Sequence, residues 1–409
     1  RSMALEKLFK SVRQYLIVQN PDLLFRFLRF LWPNLKLPNG NVFVTRYRDV
    51  QEVLSRPEVF TVRDYAPRMD PSVGPFMLAR DGSIENQRDK GIMRTLISKN
   101  DAPKIRSLVS EITCGLLEDA KRAGRLELVF QIARRVPVEM IQQYFGFVDP
   151  DIQSMFRWSR ATQMDMFKNI ENDARIHQEN VDAGRQMYKQ IKEILLPQRR
   201  QELAANPNLD DVVSRMLQSR FPEEIGFDEE RIISNTMGFL VGGVETISQA
   251  VVQIVEYLLA HPEQFAGAKR AAQDGADELL YKYCFEALRF NPINPVVVRT
   301  CAEDCTVARG TLRWVRVKKD SLVFVGTRSA MMDEFELSRP REFRLDRPEH
   351  HYMHFGFGLH TCLGEQVARI QVPEITKHLL LLKNLRALSP PDFEGGPFPE
   401  KYHLQFDAS

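Results

Sequence analysis

Apolar residues recur every three to four positions over most of this chain, the spacing of helices with one buried face. The longest run extends from about Asp228 to Leu259, with Ile232, Ile233, Met237, Leu240, Val244, Ile247, Val251, Ile254 and Leu258 in step. Asp228 suits an N-cap there, and Pro262 lies just past the far end. The same spacing predicts helices from Ile84 or Glu85 to Leu96, from Asp277 to Phe290 and from Glu365 to about Leu382. It also covers most of Lys104 to Leu203, with breaks near Gly124, Asp149-Pro150 and Asn206-Pro207. Strand-like runs are short: Val42 to Thr45, Val59 to Thr61 and Val296 to Thr300. Residues 301–335 read as short strands and turns, and residues 336–354 as an irregular run rich in Arg and Pro. After Asn384 the chain reads as loop and weak strand. Residues 62–85, broken by Pro67, Pro71, Gly74, Pro75 and Gly82, read as one long loop. Its Tyr65, Met69, Phe76 and Met77 would cover the core or line a pocket.

The expected fold is therefore mainly α with small β regions, the β part toward the N-terminus. One large domain spans 20–409 behind an N-terminal extension over 1–19, which begins with an apparent cloning scar, Arg1-Ser2. A chain of 409 residues with 44% hydrophobic and 27% charged residues has the make-up of a globular protein. The net charge of +2 gives no reason to expect nucleic acid. Five scattered cysteines argue against a disulfide scaffold and point to a reducing, cytoplasmic setting. Cys301 and Cys305 lack the second ligand pair of a structural metal site. No run reaches the roughly 18 apolar residues of a transmembrane segment. The stretch Leu23 to Trp32 is short and interrupted by Arg26 and Arg29, so it is expected to pack on the body; contact with a membrane surface is the alternative.

Candidate chemistry gathers at His354-Phe355-Gly356-Phe357-Gly358-Leu359-His360-Thr361-Cys362-Leu363-Gly364. One cysteine sits in a glycine-rich loop just before a helix. Helix dipole and free amides there favour thiolate, and a lone thiolate suits an axial haem ligand. Two glycines, Gly242 and Gly243, interrupt the longest helix and are followed by Val244-Glu245-Thr246, which predicts a local opening. Lys90 and Arg94 stand at i, i+4, where like charges repel and an anion between them would relieve the cost. Glu286 and Arg289 are spaced to pair, and Arg299 ends a strand.

Phe355, Gly358, His360, Cys362 and Gly364 fit the pattern Phe-x-x-Gly-x-His-x-Cys-x-Gly. With Gly242 to Thr246, Glu286-x-x-Arg289 and Arg299 in order before it, the chain resembles the cytochrome P450 family of haem-thiolate monooxygenases, in its soluble bacterial style, from about residue 20 to 405. The resemblance implies haem b, with Cys362 as proximal ligand, Phe355 beside it and the amides of Leu363 and Gly364 tempering the sulfur. It implies propionate contacts from Lys90, Arg94, Arg299 and His360. Gly242 and Gly243 would leave room for dioxygen, and Thr246 and Glu245 would deliver protons. Glu286 and Arg289 would form a scaffold with Arg347. Position 245 is Glu where the family often has Asp, Lys90 stands where His is common, and Pro373 interrupts the last helix. The implied reaction inserts one oxygen atom from dioxygen into a hydrophobic small molecule, with electrons from a separate ferredoxin or flavodoxin docked on Lys90, Lys99, Lys104 and the 336–354 arginines. Residues 62–85, Met155 to Phe167, Phe239 to Thr246 and Val296 to Val298 would line the pocket, and Arg63 or Arg68 would catch a carboxylate, as in a fatty acid. The alternatives are a peroxide-using or hydroperoxide-rearranging relative, or a non-catalytic haem sensor or carrier.

Overall fold

The computed structural model describes residues 21–408 except Ser83 and Ile170. The expected extension over 1–19, with its Arg1-Ser2 start, lies outside them. The chain divides into two compact units: Arg1–Arg63 with Asn294–Thr361, and Asp64–Ile293 with Cys362–Ser409.

The first unit is built on a five-stranded sheet, ordered Asn34–Lys36, Val42–Val44, Leu322–Val325, Val297–Cys301, Phe60–Thr61. Val42 pairs in parallel with Val323, while Val297 faces Val325 and Phe60 faces Cys301 in antiparallel register. Val42, Val44, Val323 and Val325 are fully buried beneath the Tyr47–Leu54 helix, whose Val50, Val53 and Leu54 close the core. The β part is thus not confined to the N-terminus. Half-buried valine runs from both ends of the chain complete one sheet, a non-local pairing that alternation alone does not reveal. The Pro21–Leu31 helix packs on this unit through Phe25, Leu28 and Arg29, whose guanidinium donates to Ser329 Oγ at 3.1 Å. Leu23, Phe27, Phe30 and Trp32 remain exposed.

The second unit is helical, with one small sheet of Arg125–Glu127, His403–Gln405 and Arg386–Ala387. The Ala102–Ala123 helix lies along Glu365–Leu380, which continues through Pro373. Gly124, with φ +63°, ends the former in the left-handed conformation that favours glycine. Residues 62–85 are not a bare loop: Ala66–Val73 is a helix and Met77–Ala79 a 3-10 turn. Pro67 occupies the first turn, where no amide hydrogen is needed, so it starts a helix instead of breaking one. Buried Met69 and Val73 hold that helix down, and Ser72 Oγ donates to the Asn180 carbonyl at 3.1 Å.

Candidate active site

The longest helical run is broken where its glycines predicted. Glu229–Gly243 and Glu245–Ala260 are separate helices, joined at Val244 with φ −106° and ψ −66°. Asp228 caps the first, accepting from the Arg231 amide at 3.0 Å. A Cβ on Gly242 would meet open space, and one on Gly243 would touch only Ile141 at 3.4 Å. Thr246 Oγ1 donates to the Gly242 carbonyl at 2.6 Å, satisfying an acceptor that the break releases. The run as a whole is long and apolar enough to cross a membrane, but 83% of its most apolar window is buried inside the protein.

Beside Thr246 the Glu245 side chain is 2% exposed and gripped by two arginines. Arg134 Nη2 donates to Oε1 at 2.6 Å and Arg160 Nη2 to Oε2 at 3.0 Å. Arg160 also pairs with Glu400, and its guanidinium lies 4.6 Å from the Phe398 ring. The Arg134 guanidinium lies 4.7 Å from both Phe130 and Phe156. Two cations thus meet two carboxylates in a setting of low dielectric, where paired charges interact strongly.

Cys362 stands immediately before the Glu365–Leu380 helix. The residue is solvent-accessible, yet protein packed around the sulfur raises the thiol pKa by desolvation. The amides of Gly364 and Glu365 and the charge of Lys90 act in the opposite direction without outweighing it. The helix start therefore favours thiolate as expected, but is not sufficient by itself. Lys90 is 7% exposed; burial first, then the neighbouring Arg94 charge, push its pKa down to about 8, while Cys362 acts to raise it. The repulsion expected for Lys90 and Arg94 is present. Arg94 has no ion pair or hydrogen bond among the described residues.

A thiol aimed upon by helix-start amides, an open face at Gly242 and two crowded cations fit a flat, dianionic, thiolate-ligated cofactor. The cytochrome P450 family model matches residues 37–392, across both units. The chain belongs to the cytochrome P450 family. The steroid C26-monooxygenase of Mycolicibacterium smegmatis is 26% identical over 385 residues, covering 91% of this chain and 90% of that protein. The mycinamicin IV hydroxylase/epoxidase of Micromonospora griseorubida is 27% identical, covering 82% and 80%. The crystal structure of CalO2 superposes with a TM-score of 0.81 at 21% identity, covering 95% of this chain and 96% of that one, and so shares the fold. As a cytochrome P450, the protein is a haem-thiolate monooxygenase whose cofactor is haem b, acting on small molecules with dioxygen and a redox partner.

The remaining residues of the P450 pattern divide between the units. In the first, Arg299 lies mid-strand opposite Val323, 8% exposed, with Nη1 donating to the Val298 carbonyl at 2.9 Å. His360 ends the Gly358–His360 turn, and Phe355 is half-buried. Gly358, at φ +71°, brings its α-carbon so close to the Leu54 carbonyl that a Cβ would stand 2.7 Å from that oxygen. Arg347 donates to the carbonyls of Ser338, Arg339 and Glu342 and so shapes the irregular 336–354 run. In the second unit, Glu286 and Arg289 form a fully buried bidentate pair at 2.9 and 2.7 Å. Met155, Phe156, Trp158 and Met166 are buried, as most such stripes are; Phe167 packs against Tyr65 with ring centres 5.5 Å apart and the planes tilted by 51°, and Phe76 packs against Gly238. Arg134, Arg160 and Glu400 were not among the sequence candidates. The only signal for Arg134 is an arginine pair, Arg134-Arg135, within the largely apolar run Val129 to Val138.

Proposed function

We propose that Cys362 is the thiolate ligand of the haem and that Lys90, Arg94, Arg299 and His360 hold its propionates, with Phe355 packed near the sulfur. Haem supplies the activation of dioxygen; the chain supplies shape, charge and protons. The observation that carries the reading is the Cys362 sulfur under the amides of Gly364 and Glu365, with Lys90 favouring its charged form. Gly242 and Gly243 leave space at the broken helix. Thr246 can accept a hydrogen bond while donating to Gly242, and must turn from that carbonyl to pass a proton toward dioxygen. Glu245 is a proton relay only if Arg134 or Arg160 releases one of its oxygens. The substrate is hydrophobic, in keeping with Tyr65, Phe76, Phe167 and Phe239, and with the steroid that names one relative.

The electron donor is a ferredoxin or flavodoxin with an acidic surface. Lys99 supports this: it is exposed and has no ion pair among the described residues, whereas Lys104 is already held by Asp210. A cytoplasmic location fits five free cysteines. The test is Cys362→Ser. The ferrous–CO spectrum should lose its thiolate signature; an unchanged spectrum refutes the assignment.

A further inference from the structure

Two cations lie on the helical run from Ile152 through the π-turn Met164–Lys168: Arg160, and Lys168 eight residues further on. Both approach Phe398, with the Arg160 guanidinium 4.6 Å and the Lys168 Nζ 5.9 Å from the ring centre. That ring is tied to the Glu245–Ala260 helix. Gln249, three residues after Thr246, donates to the Pro397 carbonyl at 3.0 Å. On the other side, Gln163 donates to the Val241 carbonyl. Lys168 therefore shares a neighbourhood with the two helices that meet at Val244.

The two cations differ in their partners. Arg160 is bound to Glu245 and Glu400. Lys168 has no ion pair or hydrogen bond among the described residues, although it is half-buried. The nearby acids are taken: Glu400 by Arg160, and Asp165 by Asn169, Asn180 and His177 at 2.8 Å each. Burial lowers the Lys168 pKa, with no carboxylate acting against it. The arginines nearest the lining in sequence are also engaged, Arg63 with Asp320 and Arg68 with the Asn169 carbonyl and the Asn172 side chain.

We propose that Lys168 anchors an anionic group of the substrate, so that this enzyme selects apolar molecules bearing a carboxylate. The inference rests on the haem-pocket reading above. A desolvated ammonium without a counter-ion gains most from an incoming carboxylate. Phe167, Tyr65 and Phe398 would flank the apolar part.

The test compares dodecanoic acid with its methyl ester on the haem-loaded protein, read both by the Soret shift and by calorimetry. The acid should bind about ten- to a hundredfold more tightly, the worth of a hydrogen bond to a charged group. Lys168→Gln should bring that ratio close to one without changing ester affinity, and Lys168→Arg should keep it. Equal binding of acid and ester, no binding of the acid, or a ratio that survives Lys168→Gln overturns the proposal. Imidazole separates the two readings: without an imidazole-induced Soret shift the haem pocket itself is wrong, while calorimetry still reports the anion preference.

Discussion

The neighbourhoods of Glu245 and of Lys90 handle charge in opposite ways. Around Glu245 two arginines meet two carboxylates, and both oxygens of the buried carboxylate have a guanidinium partner. Around Lys90 two cations crowd each other, and the influence that favours the ammonium comes from Cys362, the weakest of the three resolved. The first arrangement balances its charges within the protein. The second keeps like charges side by side. Balanced charge sets hold a fold in one shape, while like charges held together mark where an anionic ligand can bind.

The largest expected effect comes from breaking the balanced set. Arg134→Leu leaves Glu245 with one partner in an apolar setting and should cost about 3–5 kcal/mol of stability. Denaturant unfolding reads this directly. A loss below about 1 kcal/mol, the range of an exposed pair, would mean that water or relaxation substitutes for Arg134 and that the comparison fails.

These two regions also differ in what the sequence disclosed. The Cys362 loop was legible because its glycines, its cysteine and the helix after it are adjacent, and their meaning is local. The break at Val244 was legible for the same reason, since Gly242 and Gly243 weaken the helix where they stand. The partners of Glu245 were not legible, because Arg134 and Arg160 come from 111 and 85 residues away. The helix at Ala66–Val73 was hidden by Pro67 and Pro71, read as breakers though one starts the first turn. The sheet was seen as strands but not as a sheet, because Val42–Val44 finds its parallel partner at Leu322–Val325. Local chemistry can be read from order along the chain, whereas pairings across it wait for the fold.

The crowded cations make a prediction with a sign. Folded Lys90 has a pKa of about 8, against the 10.5 of a free lysine. Between those values the unfolded chain holds more protons, so stability of the haem-free protein should rise with pH across that window. Below pH 8 the penalty is fully present, on the order of 3 kcal/mol for a shift of this size. Lys90→Met should remove the slope and stabilise the haem-free protein at neutral pH, while speeding haem loss. A pH-independent stability from 8 to 10.5 would show that Lys90 is already neutralised by the protein.

The smallest expected effect is at Lys168, and it sharpens the contrast with Arg160, which approaches the same Phe398 ring. Arg160→Met removes a partner from both Glu245 and Glu400 and should destabilise by roughly 3 kcal/mol. Lys168→Met removes a charge that no carboxylate among the described residues answers. Its desolvation cost disappears while the apolar length of the side chain is kept in kind. Stability should therefore stay within about 0.5 kcal/mol or rise by up to about 1 kcal/mol. The two variants unfolded side by side test the comparison without any ligand. A loss at Lys168 equal to that at Arg160 would make both cations structural, and the distinction between balanced and unbalanced charge sets would not extend to this helix.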